Sequence, residues 1–395
     1  MKNISKFYFS LCGVLLAGLY GCGRKPHPVL SGTYSFGNAF DKTNITDSFC
    51  CYHDKDGRAA ILDYESMKTS FLCKKPNCRH TGEDCIEHRL NGQIPVFDKN
   101  FAYYFVDEPP VFVKNEDGLP DLSLHSALYR YDLESNTEEK LMQWEGGLIA
   151  DPDYGMLLHN GTLYFMDTQL GRLYDENGIL GAYSNNGGDI KLHSVSLANL
   201  KVTDLCDLND ISALEQYYPY TRNSCCVYMK GLYDNKIYFT VGFIENKSKE
   251  LSTGNNFYRH YATYYDLTDG RYYGVPEDYG NIDFSGVQFC SEHYAVICRT
   301  NTATALVYKN GPIQPLEMSY GGFSEYAELS VSDDIIFCDG KAFNLNTKEA
   351  REVENLKPDN PDMLPKKVIA RYGDDYIICD ETRNFEKIPA EQLLK

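Results

Sequence analysis

The chain has 395 residues, with 38 Lys and Arg against 56 Asp and Glu, which gives a formal net charge of −18 at pH 7. So acidic a surface repels phosphate backbones, and nucleic acid is therefore excluded as an expected partner. The 32 Tyr and 20 Phe favour strands, because aromatic side chains pack well on a pleated surface. No long segment has helical periodicity, so the composition predicts an all-β protein.

The beginning of the chain has the organisation of an export signal. Lys2 and Lys6 give a positive start, the stretch Phe7–Tyr20 is almost wholly apolar, and Gly21 precedes Cys22. The apolar stretch has 14 residues, whereas a helix needs about 20 to cross the hydrocarbon core. A permanent transmembrane helix is therefore the weaker interpretation, and we expect residues 1–21 to be removed as a signal peptide.

The end of this signal, Leu19-Tyr20-Gly21-Cys22, resembles the lipobox of bacterial lipoproteins. The resemblance implies that the Cys22 thiol receives a diacylglycerol and that Cys22 becomes the first mature residue. Two acyl chains hold a soluble domain at a membrane stably, where a single chain does not. We therefore expect a protein anchored on the extracytoplasmic side of the cell membrane through a tether at 22–32. Loss of Lys2 and Lys6 leaves 36 Lys and Arg against 56 Asp and Glu, a net charge of −20.

From residue 33 to the end, the chain repeats a turn signal followed by a short apolar or aromatic strand. One example is Asn160-Gly161 before the strand Thr162–Phe165, and seven such units can be counted. The last three of these strands end at cysteines spaced 40 and 41 residues apart, namely Cys298, Cys338 and Cys379. This period is typical of one four-stranded propeller blade per repeat.

A second strand type follows each first one, and a polar hairpin turn then usually leads to a third strand. We therefore predict that residues 33–395 form a β-propeller, with seven blades favoured over six or eight, and with a large β-sandwich as the alternative. The unit near Tyr376 is followed by too little chain for four strands. The segment Thr33–Phe36 is predicted to supply the missing strand and close the ring.

Three consecutive units have a long connection after the repeated strand, covering roughly 107–124, 169–189 and 244–256. In a propeller, equivalent connections emerge on one face, and repeat proteins place such insertions on a binding face. The alternative is that these insertions are mobile surface loops without a binding role. We predict that they contact a small ligand, a glycan or a protein through one Arg and four aromatic residues, which are Phe112, Arg172, Tyr174, Tyr183 and Tyr258.

Seven of the 14 cysteines lie in predicted strands. Those that end the last three repeated strands are predicted to be small buried core residues, which is a common fate of free cysteine. Cys50-Cys51 and Cys225-Cys226 are adjacent pairs. Because neighbours on a strand point to opposite faces, each pair is predicted to have one buried and one exposed sulfur.

The segment 73–85 is different in kind, because Cys73, Cys78, His80 and Cys85 fall within 13 residues around a Pro-Asn turn. Thiolate and imidazole are the ligands that tetrahedral Zn²⁺ prefers, which predicts a structural zinc site. In an exported protein, a disulfide between Cys73 and Cys78 is an alternative interpretation, and free thiols are another.

The same segment resembles the Leu-Cys…Lys-Pro-x-Cys-x-His…Cys segment found soon after the lipobox in exported lipoproteins of Gram-positive gut bacteria. The matching residues here are Leu72, Cys73, Lys75, Pro76, Cys78, His80 and Cys85. The repeated Leu-Tyr-x-Tyr-Asp-Leu strands are similar too. The resemblance implies a β-propeller fold and an extracytoplasmic location, and it implies no activity.

Motifs that carry catalysis are missing from the sequence, including Gly-x-Ser-x-Gly, His-Glu-x-x-His and the dinucleotide fingerprint. We therefore expect a monomeric binding protein more than an enzyme, with no catalytic residues and structural zinc as its one candidate cofactor. Two alternatives stay open. One is an enzyme acting on glycans through an acid pair at the propeller axis. The other is a metal- or redox-responsive surface protein that works through the 73–85 segment.

Overall fold

The computed structural model describes residues 34–37, 43–80, 82, 85–90, 92–114, 120–145, 155–168, 171–174, 180–183, 190–208, 221–245, 258–274, 285–291, 293–299, 304–308, 314–316, 329–360 and 363–395. Within these residues, antiparallel sheets follow one another along the chain, and we call each sheet of four or five strands a blade. In the part of the chain that the structure describes, helix is confined to single turns at α1 (Ile86–Arg89), α2 (Ala390–Leu393) and the 3-10 helix Glu354–Leu356.

The first three blades carry most of the features discussed below. Blade 1 contains β2 (Thr43–Ile45), β3 (Phe49–His53), β4 (Ala59–Asp63) and β5 (Lys68–Phe71). Blade 2 contains β6 (Val96–Asp98), β7 (Phe101–Lys114), β8 (Pro120–Asp132) and β9 (Thr137–Glu145). Blade 3 contains β1 (Tyr34–Gly37), β10 (Met156–His159), β11 (Thr162–Thr168), β14 (Ile190–Ser196) and β15 (Val202–Asp207), in that order. Its insertion forms a separate hairpin of β12 (Gly171–Tyr174) and β13 (Leu180–Tyr183).

The remaining sheets continue in chain order. Blade 4 contains β16 (Thr221–Tyr233), β17 (Lys236–Glu245), β18 (Tyr258–Asp266) and β19 (Arg271–Gly274). Blade 5 contains β20 (Ser285–Cys290), β21 (Ala295–Arg299), β22 (Thr304–Tyr308) and β23 (Gln314–Leu316). Blade 6 contains β24 (Leu329–Ser332), β25 (Ile335–Cys338), β26 (Lys341–Asn344) and β27 (Ala350–Glu352). The C-terminal sheet contains β28 (Lys367–Tyr372), β29 (Asp375–Cys379) and β30 (Phe385–Pro389).

The all-β propeller prediction is confirmed, and the prediction of seven blades is wrong, because six blades are formed. The seventh repeat forms only the three-stranded C-terminal sheet. Its expected fourth strand, β1, pairs instead with β10 of blade 3, with Tyr34 opposite His159 and Gly37 opposite Met156. The ring is therefore not closed by a shared strand.

Packing between the C-terminal sheet and blade 1 closes the ring instead. The Tyr52 ring lies 4.7 Å from that of Phe385, and the Tyr64 ring lies 5.9 Å from that of Tyr372. Ile377 is fully buried in the same cluster. Aromatic contacts of this kind add specific geometry to the burial of apolar surface. The C-terminal sheet therefore completes the circle through side chains rather than through strand pairing.

The turns between the first and second strands of the blades explain the repeated sequence signal. In blade 4, Tyr233 pairs with Lys236 and the two turn residues, Asp234 and Asn235, have φ of 49° and 55°. A two-residue hairpin turn of this type needs positive φ at both positions, which Asn and Asp tolerate better than other side chains. We call the end of the propeller that carries these turns the turn face.

Both faces of each blade pack against neighbours, which corrects the prediction for the first cysteine pair. Cys50 and Cys51 are both fully buried. Cys50 packs towards the C-terminal sheet, and Cys51 packs with Leu72 and Tyr103 towards blade 2. Adjacent residues do point to opposite faces, but both faces are interior. The side chains of Cys225, Cys226 and Cys298 lie outside the described part of the chain, whereas Cys338 and Cys379 are buried as predicted.

The predicted signal peptide and tether lie outside the described residues. Among the residues that are described, no helix is long and apolar enough to cross a membrane.

Candidate metal centre

The centre lies in the connection between β5 of blade 1 and β6 of blade 2. Leu72 is fully buried, and Cys73 begins an irregular stretch that turns back on itself. The Cys78 N–H donates to the Lys75 carbonyl at 3.2 Å, and Asn77 has a left-handed φ of 59°, which Asn accepts more readily than most residues. This turn brings Cys78 towards Cys73, as the Pro-Asn pair in the sequence predicts.

The second half of the segment returns His80 and Cys85 to the same point. His80 has a φ of 57°, and its N–H lies 3.4 Å from the Cys78 sulfur. The Cys85 N–H donates to the Gly82 carbonyl at 2.9 Å, and Cys85 is the residue directly before α1. Backbone turns, not packing between side chains, therefore place three of the four candidate ligands.

One donor atom from each of Cys73, Cys78, His80 and Cys85 lies within 4.8 Å of all the others. The Cys85 sulfur is 3.5 Å from the Nδ1 atom of His80. For tetrahedral zinc with Zn–S of about 2.3 Å and Zn–N of about 2.0–2.1 Å, the S···N edge is about 3.6 Å. The described residues contain no other group of three or more such side chains with this geometry. The four residues could therefore hold a metal ion, and their donor set is compatible with zinc.

None of the three sulfurs forms a disulfide in this structure, so the alternative of a disulfide between Cys73 and Cys78 is not observed. Burial, with the neighbouring Cys78 thiol, raises the pKa of Cys85 to about 12, and burial raises the pKa of Cys73 as well. Zinc binds the thiolate form, so its binding must displace these protons.

Glu87 fixes the backbone of one candidate ligand, Cys73, and no sequence motif predicts this role. Its buried carboxylate accepts a hydrogen bond from the Cys73 N–H at 3.0 Å. Burial raises the pKa of this carboxyl to about 7, while the hydrogen bond from Cys73 opposes the shift. Groups that orient the ligands in this way contribute strongly to the affinity of metal sites.

The segment is also tied to the turn between β8 and β9 of blade 2. The Lys74 ammonium donates to the Leu133 carbonyl at 3.0 Å, and the Lys74 N–H donates to the Asn136 side chain at 3.2 Å. The Tyr131 hydroxyl donates to the Leu72 carbonyl at 3.3 Å. The centre therefore lies in a seam between two blades.

A second tie comes from α1. Arg89 forms an ion pair with Glu138, and its guanidinium lies 4.2 Å from the centre of the Tyr129 ring. The contact combines charge with stacking on an aromatic face, which Arg favours. Both ends of the candidate centre are thus connected to blade 2.

The other predicted site residues lie on the insertions. Phe112 is opposite Leu122 in the β7–β8 hairpin, and Arg172 is opposite Ala182 in the β12–β13 hairpin. Tyr174 and Tyr183 lie in this second hairpin too, and Tyr258 begins β18 opposite Ile244. Their side chains lie outside the described part of the chain. All three insertions join the second and third strands of a blade, and β13 contacts β8, so the backbone brings the first two together.

A polar cluster near the base of these two hairpins is not predicted by the sequence; its His193 and Asp167 are buried, whereas the Asp204 side chain is exposed. The two ring nitrogens of His193 lie 2.9 Å from carboxylate oxygens of Asp167 and Asp204. The imidazole stacks on Phe165, and Trp144 of blade 2 packs against it edge-on. These five residues come from four strands, β9, β11, β14 and β15, so no single local motif marks them.

The axis gives no support to the enzyme hypothesis among the residues that are described. The first strands of the blades form the inner ring, and among their described residues only β6 carries a carboxylate, that of Asp98. Asp98 is buried, and burial raises its pKa. Glycoside hydrolysis needs two carboxyl groups facing a common space.

No protein-family model matches the chain, and no curated protein matches its sequence. The chain is similar in structure to a periplasmic gluconolactonase of Pseudomonas aeruginosa, with 10% identity, a TM-score of 0.36, and coverage of 91% of this chain and 92% of that one. A mutant of Synechocystis apocarotenoid oxygenase has 10% identity and a TM-score of 0.33, with coverage of 87% of this chain and 72% of that one. The β-propeller domain of Nup133 from Vanderwaltozyma polyspora has 11% identity and a TM-score of 0.25, with coverage of 80% of this chain and 97% of that one. With TM-scores below 0.5, these similarities do not extend to activity or ligand.

Proposed function

We propose that this chain is a zinc-stabilised β-propeller that is anchored to the cell membrane through Cys22. It binds a partner on the extracytoplasmic side of that membrane. The observation that carries the zinc centre is the convergence of four donor atoms, from Cys73, Cys78, His80 and Cys85, within 4.8 Å. Four protein ligands fill the tetrahedral shell of zinc, which is the pattern of a structural site and leaves no position for a substrate.

The role of the metal follows from its position. In the described residues between β5 and β6 no strand is formed, so this connection lacks the ladder hydrogen bonds that stabilise the blades on either side. A zinc ion would fix the turns at Asn77 and His80 and present Leu72, Lys74 and Arg89 to blade 2. Metal binding of this kind contributes directly to the free energy of folding.

Metal analysis of the purified mature domain tests this proposal. We expect one zinc per chain by elemental analysis in the parent protein and none in Cys85→Ser. Cys379→Ser is the matched control, because Cys379 is also fully buried and outside any disulfide but lies in the C-terminal sheet and not in this segment. Absence of zinc from the parent, with a Cys73–Cys78 disulfide detected by mass spectrometry, would overturn the proposal.

The membrane anchor rests on the lipobox at Leu19–Cys22. We expect a diacylglycerol on the N-terminal cysteine of the mature protein, and loss from the membrane fraction in Cys22→Ala. A Cys22→Ala variant that remains in the membrane fraction would contradict lipid anchoring.

The binding role is supported by the equivalent position of the three insertions, each between the second and third strands of consecutive blades. Long insertions of this kind gather on the binding face of repeat proteins. Replacing residues 109–124 by a two-residue turn should abolish ligand capture from cell-surface extracts while leaving the melting temperature and zinc content unchanged. Capture that is unaffected by shortening all three insertions would contradict the assignment of this face.

A further inference from the structure

The position of β1 determines where the N-terminal tether leaves the propeller. β1 pairs with the inner edge of β10 and lies near β2 and β6, which places it inside the ring of first strands. Its first residue, Tyr34, is opposite His159, which directly precedes the turn Asn160-Gly161. The Ser35 hydroxyl also accepts a hydrogen bond from the Phe97 N–H of blade 2 at 2.8 Å, which fixes β1 to two blades. The chain before Tyr34 therefore starts at the turn face.

The insertions extend from the opposite end of the same blades. β7 begins next to the turn face at Phe101 and continues for 14 residues to Lys114, which is paired with Pro120. At about 3.4 Å per residue, this strand spans roughly 45 Å. β6 pairs only with the first three residues of β7, so much of the hairpin projects beyond the inner strands. We call this end of the propeller the hairpin face.

The length of the tether decides which face can approach the membrane. The tether at 22–32 together with Thr33, the residue before β1, makes twelve residues between the anchor and Tyr34. A chain of twelve residues spans about 40 Å when fully extended, and a flexible one spans roughly 20 Å on average. To place the hairpin face on the membrane, Tyr34 would have to stand about 45 Å from the lipid, beyond even the extended chain. The net charge of −20 on the mature chain gives no attraction to anionic headgroups that would override this constraint.

We propose that the lipid anchor holds the turn face towards the membrane and directs the three hairpins away from it. This inference rests on the proposed function, because it requires an anchor at Cys22. The partner of the hairpin face is then a soluble or wall-associated ligand that approaches from outside. A lipid or an embedded protein of the anchoring membrane does not fit this arrangement.

Energy transfer to the membrane tests this orientation. A fluorescent amino acid is introduced in the full mature chain at Asp374, an exposed residue of the turn face, or at Glu116, between β7 and β8. Each protein is placed on vesicles that contain an acceptor-labelled lipid headgroup. One preparation uses the natural lipid on Cys22, and the other uses a hexahistidine tag in place of Cys22 on vesicles with a nickel-chelating lipid.

We expect several-fold more efficient transfer from the Asp374 label than from the Glu116 label in both preparations. Equal efficiencies, or the reverse order, would overturn the orientation. The mass of the N-terminal peptide reports separately on lipidation, so failure of the anchor does not obscure the result. The hexahistidine preparation still shows on which face the chain before Tyr34 leaves. Melting temperatures matching the parent protein show that each labelled chain is folded.

Discussion

Two groups of cysteines differ in what surrounds their sulfurs. One group lies in the seam between blades 1 and 2, and the other lies on the blade strands. Cys50, Cys51 and Cys379 are fully buried on regular strands, and their neighbours are apolar or aromatic side chains. Cys78 is only partly buried, and its sulfur accepts a backbone N–H in an irregular segment. Burial keeps a strand cysteine as a small hydrophobic residue, whereas convergence of donors makes a seam cysteine a candidate ligand.

Removal of zinc should therefore affect the seam first and most strongly. A chelator is expected to lower the free energy of unfolding by about 4 kcal/mol where free zinc had exceeded the dissociation constant a thousandfold. The measurement is denaturant unfolding with and without chelator. Cys85→Ser is the control and should show no further response. An equal response in Cys85→Ser would place the metal elsewhere.

Substitution of His80 separates ligation from packing. His80→Ala should lose zinc and approach the stability of the chelated protein, because it leaves only three of the four ligands of a structural zinc site. His80→Cys should retain one zinc per chain, because thiolate is also a preferred ligand of tetrahedral zinc. Elemental analysis and thermal unfolding of both variants test this. Zinc retained at full occupancy in His80→Ala would remove the imidazole from the ligand set.

Glu87 should matter less than a ligand and more than a strand cysteine. Glu87→Ala leaves the buried Cys73 N–H without its acceptor, which costs about 1–3 kcal/mol. Zinc affinity should fall about 10- to 100-fold, as it does when groups behind the ligands are removed. Glu87→Gln keeps an oxygen acceptor and should restore most of the affinity in a competition titration. Equal losses in both variants would mean that the negative charge, and not the hydrogen bond, is what matters.

The strand cysteines provide the opposite expectation. Cys51→Ala removes one buried sulfur and should cost about 1 kcal/mol through the small cavity it leaves. Zinc content should stay at one per chain, since Cys51 is not among the four convergent donors. Loss of zinc in this variant would break the distinction between the two groups of cysteines.

The smallest expected effect is the pH dependence of stability that comes from His159, a buried residue of blade 3. Burial lowers the pKa of His159, and its Nδ1 atom has no hydrogen-bond partner. Below the ordinary histidine pKa of about 6.5, the unfolded chain therefore binds a proton that the folded chain resists, and stability falls as the pH decreases. His159→Gln should flatten this part of the stability profile. A His159→Gln profile with the same slope as the parent's from pH 7 to 5 would show that this histidine contributes nothing.

Much of the architecture could be predicted from the sequence because its causes are local. The turn at Asp234-Asn235 requires residues that tolerate positive φ, and the strands beside it are aromatic and β-branched. The ligand set was also visible, since Cys73 to Cys85 fall within 13 residues and the Pro-Asn turn returns the chain. The placement of the long insertions directly after the repeated strand follows from the same repeat.

Other features depend on contacts that no local pattern encodes. The sequence by itself determined the strand repeat, the turn chemistry and the identity of the four donor residues, because each depends on neighbours a few positions away. Only the tertiary structure decided that β1 pairs with β10, that Cys50 and Cys51 are both buried, and that Glu87 supports Cys73. Strand exchange, two-sided packing and buried hydrogen bonds join residues far apart in the chain, and the choice among such partners is made by the closed ring as a whole.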